Sequence, residues 1–579
     1  MKNRLGSLGR AGTLLALAAV AVPAAAQTTR TATGEGPTRM TARPTVAAIT
    51  REDAMSRLYT LADDSMMGRD AGTRGNVKGT DYIAAEARRI GLVPMGENGT
   101  FFQTIPLVNR GVDPTSSLMP SGGNALTLWT DFVPLPHVGG VINVGDMMRA
   151  NATPVVYGGV WGDSVASLKP AQARGKFVVF SAPMGQNGRP DFRVWARGPL
   201  DSYEGVAGMA IAVLEAAPPQ LVDFFRGEQM VMKSETANTG PGVILVTTAA
   251  AERLLGAPMG SIQPGASAPT PRTVTGGFRY AEKATEFPAR NVIGVLRGSD
   301  PVLRNQYVAI GAHNDHVGIA DAAMDHDSLR VLNRLFRREG AEQPDPTTLT
   351  PAQVQQLRAG LDSVRRLRPA RRDSVYNGAD DDASGTTGVL EIAQYLASRR
   401  PKRSVIFVWH TAEEKGLFGS EYFTDHPTVP RDSIVAQLNI DMIGRGRADD
   451  VEAGGRGYLQ LVGSRRLSTQ LGDLVEEVNR TGNYGFTFDY SMDTDGHPAN
   501  IYCRSDHYNY ARWGIPVTFF TTGGHADYHM LTDEAQYIDY DKLVSVSRFI
   551  AGVAENVANR GTRVVVDKPK PDPNGTCKQ

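Results

Sequence analysis

The hydrophobic and polar positions of the chain fall into three textures. Near the start, Thr50 can cap a helix over Arg51–Leu61, and Tyr82–Ile90 puts Ile83, Ala87 and Ile90 on one helical face. Between about residues 130 and 250 the pattern shifts to short β-rich runs separated by glycine and proline. Residues 154–157, 177–180, 209–213 and 243–246 read as its strands, the texture of an inserted module with its own small core. From about residue 285, strands and helices alternate. Apolar runs at 291–296, 307–310, 404–409, 434–440, 458–462 and 515–520 are separated by helical spacing at 385–398, 467–479 and 541–557. Such alternation predicts an α/β fold, a doubly wound and mostly parallel sheet with helices on both faces. Ligands of that architecture bind beyond the carboxyl ends of the strands.

Five elements present a histidine or an acid at that edge. Strand 307–310 runs into His313-Asn314-Asp315-His316, and the loop before helix 385–398 is Asn377-Gly378-Ala379-Asp380-Asp381-Asp382-Ala383-Ser384-Gly385. Strand 404–409 leads to Glu413-Glu414, strand 434–440 to Asp441, and strand 515–520 to His525-Ala526-Asp527-Tyr528-His529. Any one of these is ordinarily a loop residue, a helix cap or a solvated charge. Their convergence on one sheet edge is not ordinary. Buried acids repel and are costly to desolvate unless a cation compensates.

Composition narrows the chemistry. The 579 residues are enough for about three to four domain-sized units. Lys+Arg and Asp+Glu both number 61, a balance that argues against a nucleic-acid or anionic-membrane partner. The two cysteines, Cys503 and Cys577, cannot make a zinc–thiolate cluster, so a metal site has to use His, Asp and Glu. They could form one disulfide, although the Pro-rich tail around Cys577 is expected to be disordered. Basic residues before the apolar run Ala11–Val22, and Ala24-Ala25-Ala26 before Gln27, read as a cleaved signal peptide. The run is too short to span a bilayer, so no stable membrane insertion is expected after cleavage, and the mature protein is expected to be periplasmic or extracellular.

The motifs His313-x-Asp315, Gly378-Ala379-Asp380-Asp381-x-Ala383-Ser384-Gly385, Glu413-Glu414-x-Gly416-Leu417-x-Gly419-Ser420, Asp441-Met442, Ser505-Asp506-His507 and Tyr528-His529-x-x-x-Asp533 resemble, in order, the co-catalytic di-zinc metallopeptidases of family M28, the aminopeptidase Y type. The resemblance implies a zinc exopeptidase fold and two Zn2+ per chain. One ion would be held by His313, Asp380 and Asp441, the other by Asp380, Glu414 and His529, with Asp380 bridging and a cis peptide bond between Asp380 and Asp381. Glu413 would be the general base, Asp315 the partner fixing the His313 tautomer, and peptides the substrates. Tyr508, Tyr528 and Asp506 are candidate substrate contacts, and Asp533 is expected to orient the site. His316, His410, His507 and His525 are expected to be structural or pocket-lining. The β-rich module is similar to a protease-associated (PA) domain.

The expected division is a signal peptide (1–26), a linker (27–46), the first part of the peptidase domain (47–130), a PA-like insertion (131–275), the zinc peptidase domain (285–560) and a disordered tail (561–579). Within the peptidase domain, residues 320–372 form an insert. From Asp327 to Arg372 it holds ten arginines and no lysine against five acids, consistent with a solvated hairpin or with a lid whose arginines attract acidic peptides. An exported aminopeptidase is the leading expectation. A metallocarboxypeptidase, a glutaminyl cyclase or a non-catalytic PA-bearing receptor or scaffold are alternatives, and the oligomeric state is open.

Overall fold

The computed structural model describes residues 35–579 apart from 137–143, 164–166, 186–187, 189, 193–199, 234–239, 347 and 452. The expected signal peptide and the first part of the expected linker, residues 27–34, lie outside the described residues. The chain divides into two compact units, one formed by the described residues through Pro106 together with Thr285–Gln579, the other by Leu107–Ala284.

In the first unit the elements used below are α1 (Arg51–Leu61), α2 (Arg74–Ile90), β1 (Ala289–Leu296), β2 (Tyr307–His313), β3 (Ile319–Asp325), α3 (His326–Phe336), α4 (Pro351–Arg365), β4 (Arg372–Val375), α5 (Ala383–Arg399), β5 (Ser404–His410), α6 (Phe418–Asp425), β6 (Ile434–Ile440), β7 (Tyr458–Val462), α7 (Thr469–Thr481), β8 (Val517–Thr521) and α8 (Tyr540–Asn559). The Thr50 side chain caps α1, as its position predicts, by accepting from the Asp53 amide at 3.1 Å.

The central strands lie in the order β1-β5-β2-β6-β8-β7. β5, β2, β6 and β8 are mutually parallel, whereas β1 pairs antiparallel with β5 and β7 antiparallel with β8. The sheet is therefore mixed, with the expected parallel arrangement confined to its centre. Every residue of β2, β5 and β6 is buried, because helices cover both faces. Alternation along β5 shows the two layers. Val405, Phe407 and Trp409 join the core under α1, α2, α5 and α8, while Ile406 and Val408 join the opposite core with Phe423 of α6.

The second unit carries its own nine-stranded sheet and two hydrophobic clusters. Its strands at 177–181, 208–212 and 243–246 match the expected ones closely. It is longer at both ends than the expected 131–275, because Leu107–Val112 and Ser117–Pro120 pair with the long strand Thr273–Ala284.

The tail differs from expectation. Cys503 and Cys577 form a disulfide across a separation of 74 residues. The Tyr502 amide donates to Gln579 Oε1 at 2.7 Å, and Arg512 donates to the Pro573 carbonyl at 3.0 Å. A Pro-rich segment with too little apolar surface to fold alone is fixed here by a cross-link and by borrowed hydrogen bonds. Closing a loop of this length removes much unfolded-state entropy, so reduction of the disulfide is expected to lower stability by about 2–4 kcal/mol. Denaturant titration with and without reductant checks this, and superimposable curves would contradict it.

His507 lies against Tyr502, fully buried and stacked on Phe519 with centroids 4.8 Å apart. Burial pushes its pKa down from 6.5 to about 3. The group is neutral when folded and protonates near pH 6.5 when unfolded, so its contribution is complete above that pH and lost as pH falls toward 3. The stability gap between His507→Phe and wild type, both in chelator, should move in the variant's favour by about 2 kcal/mol between pH 7.5 and 5. Parallel stability curves over that range would refute the neutral, buried state.

Candidate metal centre

The side chains singled out at the sheet edge come together. His313 ends β2, and its Nδ1 lies 3.1 Å from the Asp315 carbonyl oxygen and 3.7 Å from the Asp315 carboxylate. That contact leaves Nε2 directed at carboxylates, 3.0 Å from Asp381 Oδ1 and 3.6 Å from Asp441 Oδ1. On the other side, His529 Nε2 lies 2.8 Å from Asp381 Oδ2 and 3.0 Å from Glu414 Oε1. Asp381 thus stands between two groups of donors, each able to hold an ion: His313, Asp381 and Asp441, and His316, Asp381, Glu414 and His529. Glu413 and Glu414 also lie with His313 in a third set of mutually close donors.

This placement corrects the expectation for Asp380. The carboxylate between the two histidines is that of Asp381, one residue later, and the cis peptide bond is Asp381–Asp382. Three consecutive aspartates diverge because each has a different tether. Asp380 accepts from the Gly444 amide at 2.6 Å and lies 3.2 Å from His525 Nε2. Asp382 caps α5 through the Gly385 amide and also accepts from the amides of His313 and Met442. Asp533 receives the amides of Asp380 and Asp381, which fixes the loop. Only Asp381 is left facing the histidines. A Cβ at Gly385 would sit 2.4 Å from the Ile440 carbonyl, so the glycine is what lets α5 start against β6.

Asp315 does more than hold His313. Its carboxylate accepts from the backbone amides of Glu413 at 3.1 Å and Glu414 at 3.3 Å, so one buried acid positions both glutamates. The Asp441 carboxylate is held by Ser505 Oγ at 2.8 Å, itself bonded to Asn439. Ala412, Met442 and His529 take left-handed backbone conformations, with φ of 54°, 60° and 55°. Non-glycine residues adopt that region at a cost, and it recurs at functional sites.

His316, expected to be structural or pocket-lining, belongs to the cluster. Its Nδ1 is 3.0 Å from Glu414 Oε1, and its ring meets that of His529 edge to face. The available signal was its place in the same strand-end loop as His313. His410 lies between Tyr510 and Asp506. That contact reassigns Asp506. Burial disfavours its charge, but His410 outweighs burial and keeps its pKa below the ordinary value. Asp506 is a partner of His410 and is not among the donors of the cluster. Tyr508 turns its hydroxyl toward the Gly575 carbonyl of the tail. Tyr528 stacks on His529 with centroids 4.1 Å apart and stays beside the cluster.

The donors fit a cation. Burial works against charge on His313, yet Glu413 and Asp441 outweigh it and hold its pKa well above the ordinary value. His529 is raised likewise, burial being opposed chiefly by Glu414. The cluster thus calls for positive charge. His313 Nε2, His529 Nε2 and Asp381 Oδ2 are buried without a hydrogen-bond partner among the described residues, although they lie 2.8–3.0 Å from their neighbours. Close approach without hydrogen-bond alignment is the arrangement of donors aimed at a shared centre. Imidazole and carboxylate oxygens are the donor types that zinc accepts.

The arginines of the insert do not face this cluster as a free basic surface. Arg365, Arg368 and Arg371 converge on the buried Asp327, Arg330 pairs with Asp527, Arg334 with Asp449 and Arg337 with Asp345. The charge excess read from the sequence is largely spent on the chain's own acids.

The aminopeptidase from Aneurinibacillus sp. strain AM-1 superimposes with a TM-score of 0.44 at 16% identity, covering 90% of this chain and 97% of that one. A 112-residue stretch is 31% identical to a probable zinc metalloprotease of Pyrenophora tritici-repentis (strain Pt-1C-BFP), 19% of this chain and 24% of that protein. A 212-residue alignment is 28% identical to leucine aminopeptidase 1 of Ajellomyces capsulatus (strain H88), 34% of this chain and 51% of that protein. The chain therefore spans between about a quarter and a half of these curated relatives. Residues 348–554 match the model of Peptidase family M28, a span holding Asp381, Glu413, Glu414, Asp441 and His529. Over that span the chain is similar to Peptidase family M28.

Proposed function

We propose that the protein is an exported zinc aminopeptidase that removes N-terminal residues from peptides. The observation that carries this reading is Asp381 set between His313 and His529, with Asp441 and Glu414 on either side. His313, Asp381 and Asp441 would hold one Zn2+; Asp381, Glu414 and His529 would hold the other, with His316 beside Glu414. A zinc pair supplies Lewis acidity, which makes water a nucleophile at neutral pH and polarises the scissile carbonyl. The relatives' names, a probable zinc metalloprotease and a leucine aminopeptidase, support zinc and the aminopeptidase class.

The chain's own residues supply positioning and proton movement. Asp315 and the His313 loop hold Glu413, fully buried, beside His313. The Glu413 carboxylate takes a proton from the attacking water and returns it to the leaving amine. Burial excludes competing solvent and strengthens each charge interaction around it. The second unit, Leu107–Ala284, is read as a PA-type module. The basic and apolar N-terminus and the Cys503–Cys577 disulfide support export to an oxidising compartment. No helix among the described residues is long and apolar enough to cross a membrane.

Three results test the reading. Free-amine aminoacyl-anilides should be cleaved and N-blocked peptides spared, with chelator abolishing turnover; cleavage of blocked peptides from their C-termini would overturn the aminopeptidase assignment. Glu413→Gln should retain metal and lose at least about a hundredfold in kcat; wild-type turnover by this variant would require a different base. Asp381→Asn should lose bound zinc, whereas Asp380→Asn should keep both ions. Reversed stoichiometries in elemental analysis would move the bridge back to Asp380.

A further inference from the structure

A second set of donors lies where the insert meets the peptidase body. His326 opens α3, Asp373 is in β4, and Glu534 precedes the turn Ala535–Tyr537; their ligand atoms lie within 4.8 Å of one another. We propose that His326, Asp373 and Glu534 form a further divalent-cation site, distinct from the catalytic cluster, that fastens the 319–375 insert to the peptidase body.

Each donor is already oriented by a second contact, as metal ligands commonly are. His326 is buried, and its Nε2 lies 3.2 Å from the Tyr537 hydroxyl, so Nδ1 is the nitrogen turned toward the acids, 3.0 Å from Asp373 Oδ2. Asp373 Oδ1 accepts from the Val375 amide at 3.0 Å, leaving Oδ2 inward. Glu534 Oε1 accepts from Asn377 Nδ2 at 3.3 Å, and the same amide donates to Asp64 at 2.8 Å. Asp64 and Glu534 thus share the Asn377 amide, with Asp373 close to Glu534.

The charge balance favours a cation. Burial pushes the Glu534 carboxyl well above its ordinary pKa, and the Asp373 and Asp64 carboxylates push it further. Arg371 opposes this, but its guanidinium is engaged with Tyr537 and Asp327. His326 is held below its ordinary pKa, first by burial; a neutral imidazole is the form that binds metal. One imidazole nitrogen with two carboxylates is a donor set for Zn2+ or Mn2+ rather than for Ca2+ or Mg2+, which prefer oxygen alone. The same geometry has a competing occupant, a proton shared between Asp373 and Glu534.

The experiment is metal counting on the full chain, stripped with chelator and reloaded with Zn2+ or Mn2+ alone at neutral pH. Wild type should bind one ion more than either Glu534→Gln or His326→Gln, and Asp381→Asn should retain one ion. Two variants guard against a single misfolded protein, and reloading should raise Tm less in either of them than in wild type. Anomalous diffraction at the zinc edge should place a peak between His326, Asp373 and Glu534. Equal stoichiometry in wild type and both variants, with no peak there, would overturn the site in favour of the shared proton. The loss of one ion at this site is read independently of the catalytic pair, so failure of the di-zinc reading and failure of this one give different counts.

Discussion

Bringing Asp381, Glu413, Glu414 and Asp441 together at the end of a buried sheet is an electrostatic demand that the protein alone does not meet. Four carboxylates repel in a low-dielectric setting, and the two histidines between them carry raised pKa values in response. The two divalent cations proposed here would neutralise four carboxylates and leave the imidazoles free to act as neutral ligands. The rest of the site serves that balance: Asp315 and Asp533 hold backbone amides, Ser505 holds Asp441, and Asp382 caps a helix.

The sheet makes the convergence possible. β2, β5, β6 and β8 are parallel neighbours, so their carboxyl ends open at one edge, and each contributes a loop there. Core packing on both faces fixes their register, with Ile310 beside Phe407 and Leu438. A shift of one residue along any strand would exchange buried and opposite-facing side chains, and the donors would no longer face each other.

The insert extends the same economy of charge. Its arginines are bound to Asp327, Asp345, Asp449 and Asp527, and they join the hairpin to the body. A basic stretch in sequence became a lattice of ion pairs in the fold, because acids from distant segments lie within reach. Counting charges along the chain could not have shown this.

Much of the fold was legible in the chain. Apolar runs at 404–409, 434–440 and 458–462 became strands with nearly those bounds, and Thr50 capped its helix, because burial periodicity and capping act locally. The edge where the donors gather followed from strand–helix alternation. Residue-level assignment did not. Which of three adjacent aspartates lies between His313 and His529 was settled by Gly444, His525 and Asp533, all distant from the triplet in sequence. His316 joined the cluster through Glu414, 98 residues away. The tail was ordered by a disulfide to Cys503, which composition alone could not foresee. Local sequence determined where helices, strands and reactive side chains occur, since those depend on neighbours along the chain. Tertiary structure decided the direction in which each side chain points and what it pairs with, since those depend on contacts made only after distant segments meet.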